Sequence, residues 1–403
     1  MRCGPHSPRR SLDGSRSPGR GWPRVETSRR TRSSAVGTVR RRARDIAGLD
    51  LRGTPGRDNA ITDVPGVRVG HTTLIEGEGP LVVGRGPIRT GVTVVVPHEG
   101  RIWQEPLFAG CHRLNGNGEL TGLEWVRESG MLTSPVALTN THSVGVVRDA
   151  LVGAQVRERD PQELFWSTPV VGETWDGILN DVNGQHVRPE HVDAALAAAV
   201  SGPVAEGAVG GGTGMICHGF KGGIGTASRV LPPALGGYVV GVLVQANHGR
   251  RERLTVGGVR VGEVLTPEVV PLPGAPAQGG GSIIVVVATN APLIPTQLER
   301  VAQRPTLGIA RLGAGGEHFS GDLFIAFSTA NRGLPAGDYG ESSPLTVEVT
   351  MLANSFITEL FDAVADATEE AVLNALLAAE TTTGRDGITA YALEADALEE
   401  ALA

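Results

Sequence analysis

The sequence predicts a layered α/β protein, and three observations lead there. Several short runs are built from Val, Ile and Leu without polar alternation, the pattern of strands buried on both faces. Stretches with helical periodicity fall between and after those runs, so layers of helix are at hand to cover the strands. The chain has 403 residues, 40% apolar and 20% charged, enough for a sizeable core and typical of soluble globular proteins. Its 57 glycines cluster in short loops rather than in a collagen-like period, which suits tight turns and close backbone approaches.

Ordered structure is expected to begin near "NAITDVPGVRVGHTTL", where turn residues precede an alternating strand. "GVTVVVPHEG" and "SPVALTNTHSVG" each read as a buried strand followed by a loop. "VGVVRDALVGAQVRERD" has Val147, Ala150, Leu151 and Ala154 on one helical face, and "HVDAALAAAVSG" reads as a helix closed by Gly202. "GGYVVGVLVQANHG" is a buried strand ending in polar residues. After Ser282 come a buried strand, the helical "IPTQLERVAQR", the strand "DLFIAFSTAN", a further strand "LTVEVTM" and the longest helix, within Asn354 to Ala379. No repeat of fixed period is evident.

Residues 1–45 stand apart. They hold 13 Arg against three acidic residues, a net of +10, whereas the whole chain carries −7 and the remainder therefore −17. Rich in Pro, Ser and Gly, this segment is expected to be a disordered basic extension, and it lacks the apolar centre of a secretory signal. A solvated extension or a misplaced start is favoured over a nucleic-acid tail, since one Lys against 35 Arg points to a GC-rich coding sequence. Cys3, Cys111 and Cys217 are few and far apart, with no CxxC or Cys/His spacing, so neither a disulfide framework nor a structural zinc site is expected. No run of 18 apolar residues exists to span a membrane. These features fit a cytoplasmic protein without nucleic-acid or membrane partners.

"AVGGGTGMICHGFKGGIGTA" resembles a nucleotide loop only in glycine content. Lys221 is followed by Gly222 and Gly223 rather than by Ser or Thr, and no strand precedes the segment, so a tight loop for close backbone packing is the preferred reading. No HxxxH or HExxH pair occurs among the ten histidines. His142 and Ser143 are adjacent, and neighbours on an extended chain point opposite ways, which argues against a catalytic pair. Asn247 ends the strand of "QANHG", where its amide can donate toward a developing oxyanion or simply cap a turn. Ser320 and Asp322 in "SGD" face the same way on an extended chain and can act together at one strand mouth, or merely lead into "LFIAFS".

The stretch "PLPGAPAQGGGSIIVVVATNAPL" places Gly279, Gly280, Gly281 and one hydroxyl, Ser282, between an open loop and a buried strand. No His or Lys lies nearby in sequence to activate the serine. If the Gly281–Ser282 bond is cut, Ser282 gains an α-amine with an ordinary pKa of about 7.7–8, which can take the proton from its own hydroxyl. The glycines allow the strained backbone that an acyl shift needs. On pattern alone, a glycine-rich connector and a chemical junction remain equally open.

"GGGSIIVVVATNAPL", "SGDLFIAFSTAN", "VLVQANHG", "ITDVPGVRVGHTT", "NTHSVG" and "TTTGRDGITAYAL" occur in one order and together resemble the family of L-aminopeptidase/D-esterases and β-peptidyl aminopeptidases. The resemblance spans roughly residues 42–393. It implies a four-layer αββα sandwich of the N-terminal-nucleophile-like type, self-cleaved between Gly281 and Ser282 into associated chains. The larger would span residues 46–281 of the domain and the smaller 282–403. By resemblance Ser282 is the nucleophile, Ser320 and Asp322 assist it, and Asn247 stabilises the oxyanion; some relatives have Glu at the position of Asp322. Trp175, in "VVGETWDGILND", stands where characterised relatives have Tyr, and its indole N–H donates from a different distance. Glu173 is a candidate anchor for a substrate ammonium.

The resulting expectation is a self-processing serine aminopeptidase acting through an acyl-enzyme on small peptides, amides or esters with a free amine. It needs no metal or organic cofactor and assembles as a homo-oligomer of cleaved heterodimers. An acyltransferase or amidase like the ornithine acetyltransferases is the nearest alternative, but those use Thr at the new terminus. An uncleaved scaffold would have no need of "GGGS", "SGD" and "QANHG" together.

Overall fold

The computed structural model describes residues 40–274, 281–314, 316–335 and 344–403. Along the chain run β1 (Arg68–Glu76), β2 (Ile88–Val96), β3 (Leu107–Gly116), α1 (Leu123–Ser129), β4 (Met131–Leu132), β5 (Val136–Asn140), α2 (Val144–Glu158), β6 (Val170–Thr174) and α3 (Pro189–Ala197). Then come β7 (Ile216–Cys217), β8 (Phe220–Lys221), β9 (Gly223–Val230), β10 (Val239–Asn247), α4 (Val261–Val264) and β11 (Ser282–Thr289). The rest comprises α5 (Pro295–Ala302), α6 (Pro305–Arg311), β12 (Gly321–Ser328), α7 (Thr358–Ala378), β13 (Thr382–Thr383), β14 (Thr389–Ala390) and α8 (Ala395–Leu402).

The strands without polar alternation sit where two layers cover them. One sheet has the order β1-β2-β5-β6 and the other β4-β3-β12-β11-β10-β9. Val95, Val136 and Leu138 of the first meet Leu243, Ile284, Val286 and Ile325 of the second in a shared core. The outer face of the four-stranded sheet packs Val92, Val94 and Ala137 against Val147, Leu151 and Val192 of α2 and α3. The outer face of the six-stranded sheet packs Val242, Val285 and Phe324 against Leu298 of α5, Ile309 of α6 and Val364, Val372 and Leu376 of α7. The layers thus run helix, sheet, sheet, helix. All eight residues of β11 are buried, since its neighbours are the antiparallel β10 and the parallel β12 and each face meets a core.

Three sequence expectations change. The helix expected to close at Gly202 ends at Ala197, because Val200 turns back to bridge Val69 before the glycine is reached. "LTVEVTM" is extended but joins no ladder, with Leu345 fully exposed and Val347, Val349 and Met351 half exposed; no strand among the described residues lies beside it. Of the basic extension, residues 1–39 lie outside the described residues, whereas Arg40–Asp45 pack on the body. Ala43 is fully buried and donates its N–H to Asn374 Oδ1 at 2.9 Å. The arginines around it meet Glu394, Asp396 and Glu399, Glu206, and Glu370.

Glycine governs how closely α7 rides on the sheet. A Cβ on Gly225 of β9 would collide with the carbonyl oxygen of Ala371. Gly145, on the exposed side of α2, has open space around it and no left-handed backbone. Gly225→Ala is therefore expected to destabilise the protein by about 1–3 kcal/mol through overpacking, while Gly145→Ala leaves it unchanged or stabilises it by up to about 1 kcal/mol. Urea unfolding midpoints of the two variants measure the contrast.

Candidate active site

Three strand ends meet at one end of the six-stranded sheet, in its interior. β10 ends at Asn247, which stands opposite Ser282, the first residue of β11. β12 enters beside it in parallel, with Asp322 opposite Ile283. Residues 35 and 40 positions from Ser282 are thereby gathered around it by register alone. Ser282 is only 5% exposed, and its Oγ accepts the backbone N–H of Gly321 at 3.1 Å. Sequence reading missed this N–H because a glycine backbone donor leaves no side-chain signal.

Ser320 Oγ donates to Asp322 Oδ1 at 2.6 Å, which joins the two side chains at the strand mouth. Burial pushes the Asp322 carboxyl up to about 6, against the opposing effect of the Ser320 hydroxyl; the Glu317 charge adds to the rise. The Ile283 N–H and the Asn115 amide also bond the carboxyl and favour its ionised form. Asn115 lies on β3, the other neighbour of β12, and carries no motif that would have flagged it.

Asn247 is oriented at both ends of its amide. Its Oδ1 accepts the Ile216 N–H at 2.8 Å and its Nδ2 donates to the Trp175 carbonyl at 3.0 Å. A primary amide carries two hydrogens, so one N–H remains for another acceptor. The loop bearing Ile216 is held by Lys221, the only lysine of the chain, which donates from Nζ to the carbonyls of Gly212, Met215 and Gly222 at 3.2, 2.8 and 2.8 Å. Complete burial lowers its pKa to about 7, with the Asp176 charge opposing that fall. The glycine-rich segment is a backbone-packing loop around that ammonium, with no strand before it.

Trp175 is 45% exposed and lines a cavity of about 600 Å³ together with Ile216, Asn247, His248, Leu272 and Phe319. Glu173 lies two residues earlier on β6 but is buried, accepting the Glu119 N–H at 2.9 Å and the Thr141 hydroxyl. Burial raises its pKa, more than these two bonds lower it. A Cβ on Gly118 would lie 3.1 Å from Glu173 Oε1 and 3.0 Å from the Gly321 Cα, so only a glycine separates this carboxylate from the Ser282 neighbourhood. Gly281 is likewise required: a Cβ there would collide with the Asn247 carbonyl oxygen. Gly279 and Gly280 lie outside the described residues. Ser143 Oγ is buried without a partner among the described residues, so no hydrogen bond joins it to His142.

Residues 59–390 match peptidase family S58. The β-peptidyl aminopeptidase BapA of Sphingosinicella microcystinivorans is 50% identical over 358 residues, covering 86% of this chain and 88% of that protein. Its namesake from Sphingosinicella xenopeptidilytica is 45% identical over 89% of this chain and 90% of its own. Among solved structures, a Burkholderia sp. β-aminopeptidase superposes with a TM-score of 0.84 at 56% identity, covering 90% of this chain and 98% of that one. The L-aminopeptidase D-Ala-esterase/amidase of Ochrobactrum anthropi, described as a prototype for the serine aminopeptidases and a variant of the Ntn hydrolase fold, gives 0.82 at 44% identity, covering 90% and 98%.

The raised Asp322 pKa has a measurable consequence. The folded carboxyl holds its proton more tightly than the unfolded one, so its burial costs nothing below the unfolded pKa and its full penalty above about 6. In a Ser282→Ala background, Asp322→Asn is expected to gain stability relative to Asp322 as pH rises from the unfolded pKa of 3.8 to about 6, by on the order of 2–3 kcal/mol in all. Denaturant titrations below the lower and above the upper of those two values test it, and an equal gain at both would refute the assignment.

Proposed function

The chain belongs to peptidase family S58, and on that premise we propose that it is a self-processing serine aminopeptidase with Ser282 as nucleophile. The observation that carries this reading is the register at the strand mouths, which surrounds one buried hydroxyl with a backbone N–H, an oriented amide and a Ser–Asp pair.

Processing comes first. The Ser282 hydroxyl adds to the Gly281 carbonyl carbon, the Gly281–Ser282 C–N bond breaks, and the departing nitrogen keeps the hydroxyl proton. The resulting ester on Oγ is hydrolysed by water, leaving a carboxylate on Gly281 and a free α-amine on Ser282. The Gly321 N–H, which bonds Ser282 Oγ, steadies that oxygen as it gives up its proton. Two chains remain, residues 1–281 and 282–403, and the mature unit is a heterodimer that assembles into a homo-oligomer.

In turnover, the new α-amine accepts the proton of its own hydroxyl, with Ser320 and Asp322 supporting the transfer. Asp322 is ionised above about pH 6 and then accepts the Ser320 hydroxyl bond with full charge. Oγ attacks the carbonyl following the substrate's first residue. The free N–H of Asn247, with the Trp175 indole N–H, stabilises the tetrahedral oxyanion, the amine or alcohol leaves protonated, and water hydrolyses the acyl-enzyme. Glu173 receives the substrate ammonium; a cation there offsets the desolvation that raises the carboxyl's pKa. The relatives named β-peptidyl aminopeptidase, at 45–50% identity, and the β-aminopeptidase at 56% support short peptides with an N-terminal β-amino acid as substrates.

A denaturing gel with N-terminal sequencing is expected to show two bands, the smaller beginning Ser-Ile-Ile, and one 41.9 kDa band for Ser282→Ala. A single band from the unaltered chain would sink the self-cleavage reading. Asn247→Ala is expected to lower kcat on β-amino-acid p-nitroanilides by about 10²–10³-fold with little change in KM; a pure KM effect would instead make Asn247 a binding group.

A further inference from the structure

The fold brings together three groups that sequence spacing kept apart. Cys217 ends β7, His218 follows it, and His248 follows β10, and one ligand atom from each lies within 4.8 Å of the others. All three are buried. The Cys217 Sγ is 3.8 Å from His248 Nδ1, and the two rings meet edge to face with centroids 5.3 Å apart. Nothing in the proposed hydrolysis uses them.

The cluster is built rather than incidental. His218 adopts a left-handed backbone with φ of 47°, a conformation strained for a residue with a Cβ that persists only where the surroundings demand it. Gly249 makes room for its ring, since a Cβ there would collide with it, and a Cβ on Gly222 would lie 2.8 Å from the Cys217 Cβ. His218 Nδ1 is 3.1 Å from the Arg250 carbonyl. A proton on Nδ1 satisfies that carbonyl and leaves Nε2 as a lone pair, the arrangement second-layer contacts impose on metal-binding histidines. Both Nε2 atoms are buried without a hydrogen-bond partner among the described residues. The His248 main-chain N–H bonds the Cys217 sulfur.

We propose that Cys217, His218 and His248 bind one borderline-soft divalent cation, with Zn²⁺ as the best fit to one thiolate and two imidazoles. Bond lengths of about 2.3 Å to sulfur and 2.0–2.1 Å to nitrogen put tetrahedral ligands about 3.3–3.6 Å apart, so small side-chain rotations close the observed triangle. The hard cations Mg²⁺ and Ca²⁺ are disfavoured because the site offers no oxygen ligand. His248 lines the 600 Å³ cavity, which gives the ion a route in, and the fourth position is left to water. Binding transfers the Cys217 thiol proton to solvent and moves no electron.

Native mass spectrometry of the full chain titrated with Zn²⁺ is expected to show one tightly held ion per chain, and none would overturn the proposal. Co²⁺ added to Cys3→Ser/Cys111→Ser, which leaves Cys217 as the only thiol, is expected to give a thiolate-to-cobalt charge-transfer band. Cys217→Ser should abolish that band, and His218→Gln or His248→Gln should weaken Co²⁺ binding by about 10-fold or more. Circular dichroism checks that each variant is folded. Absence of the band in the folded double variant, or an affinity indifferent to both histidine changes, would refute the site.

Discussion

β11 is buried on both faces and hydrogen-bonded along both edges, and the site depends on its being unable to slide. Side chains alternate faces along a strand, so a one-residue slip against β10 would turn Ile283, Val285 and Val287 away from the helix layer and put Ile284, Val286 and Ala288 in their place. Both cores would have to be repacked at once. That constraint fixes Asn247 against Ser282 and Asp322 beside Ile283, and so gathers Asn247, Ser282 and Asp322, which no local rule brings together. Where the ladder ends, Asn247 leaves the sheet packing and lines a cavity with Trp175.

Close backbone approach supplies the second constraint. Gly281 passes the Asn247 carbonyl, Gly321 passes Gly118, and Gly225 lets α7 settle on β9, each at a distance no Cβ allows. Part of the glycine content therefore serves contacts where layers or strand ends touch. The same economy shapes the electrostatics. Lys221 satisfies three carbonyls of one loop, and Glu370, fully buried, is met by Arg44 and Arg229. An unpaired charge at such depth costs several kcal/mol, so partners are drawn from distant segments, including the arginine run that precedes the domain.

Much of this was legible in residue pattern. Two-sided apolar runs announced covered strands, helical periodicity announced the layers over them, and the i, i+2 spacing of Ser320 and Asp322 announced a pair that the 2.6 Å bond realises. Other signals misled for local reasons. "LTVEVTM" alternates like a strand, but alternation describes a face and not a partner, and no strand among the described residues pairs with it. Arg40–Arg44 looked like a solvated charge run because the acidic residues that receive it lie about 160 to 360 positions away.

The sequence by itself determined the fold class, the family and the identity of Ser282 as a singular hydroxyl at a glycine-rich junction, since periodicity and ordered motifs are local and survive without coordinates. Only the tertiary structure decided that Gly321 offers its N–H to that hydroxyl, that Asn247 is pinned between Ile216 and Trp175, that Glu173 is buried, and that Cys217 and His218 meet His248. Those relations arise from register and from layers closing on one another. They are properties of distance between residues far apart in the chain, which a linear pattern does not encode.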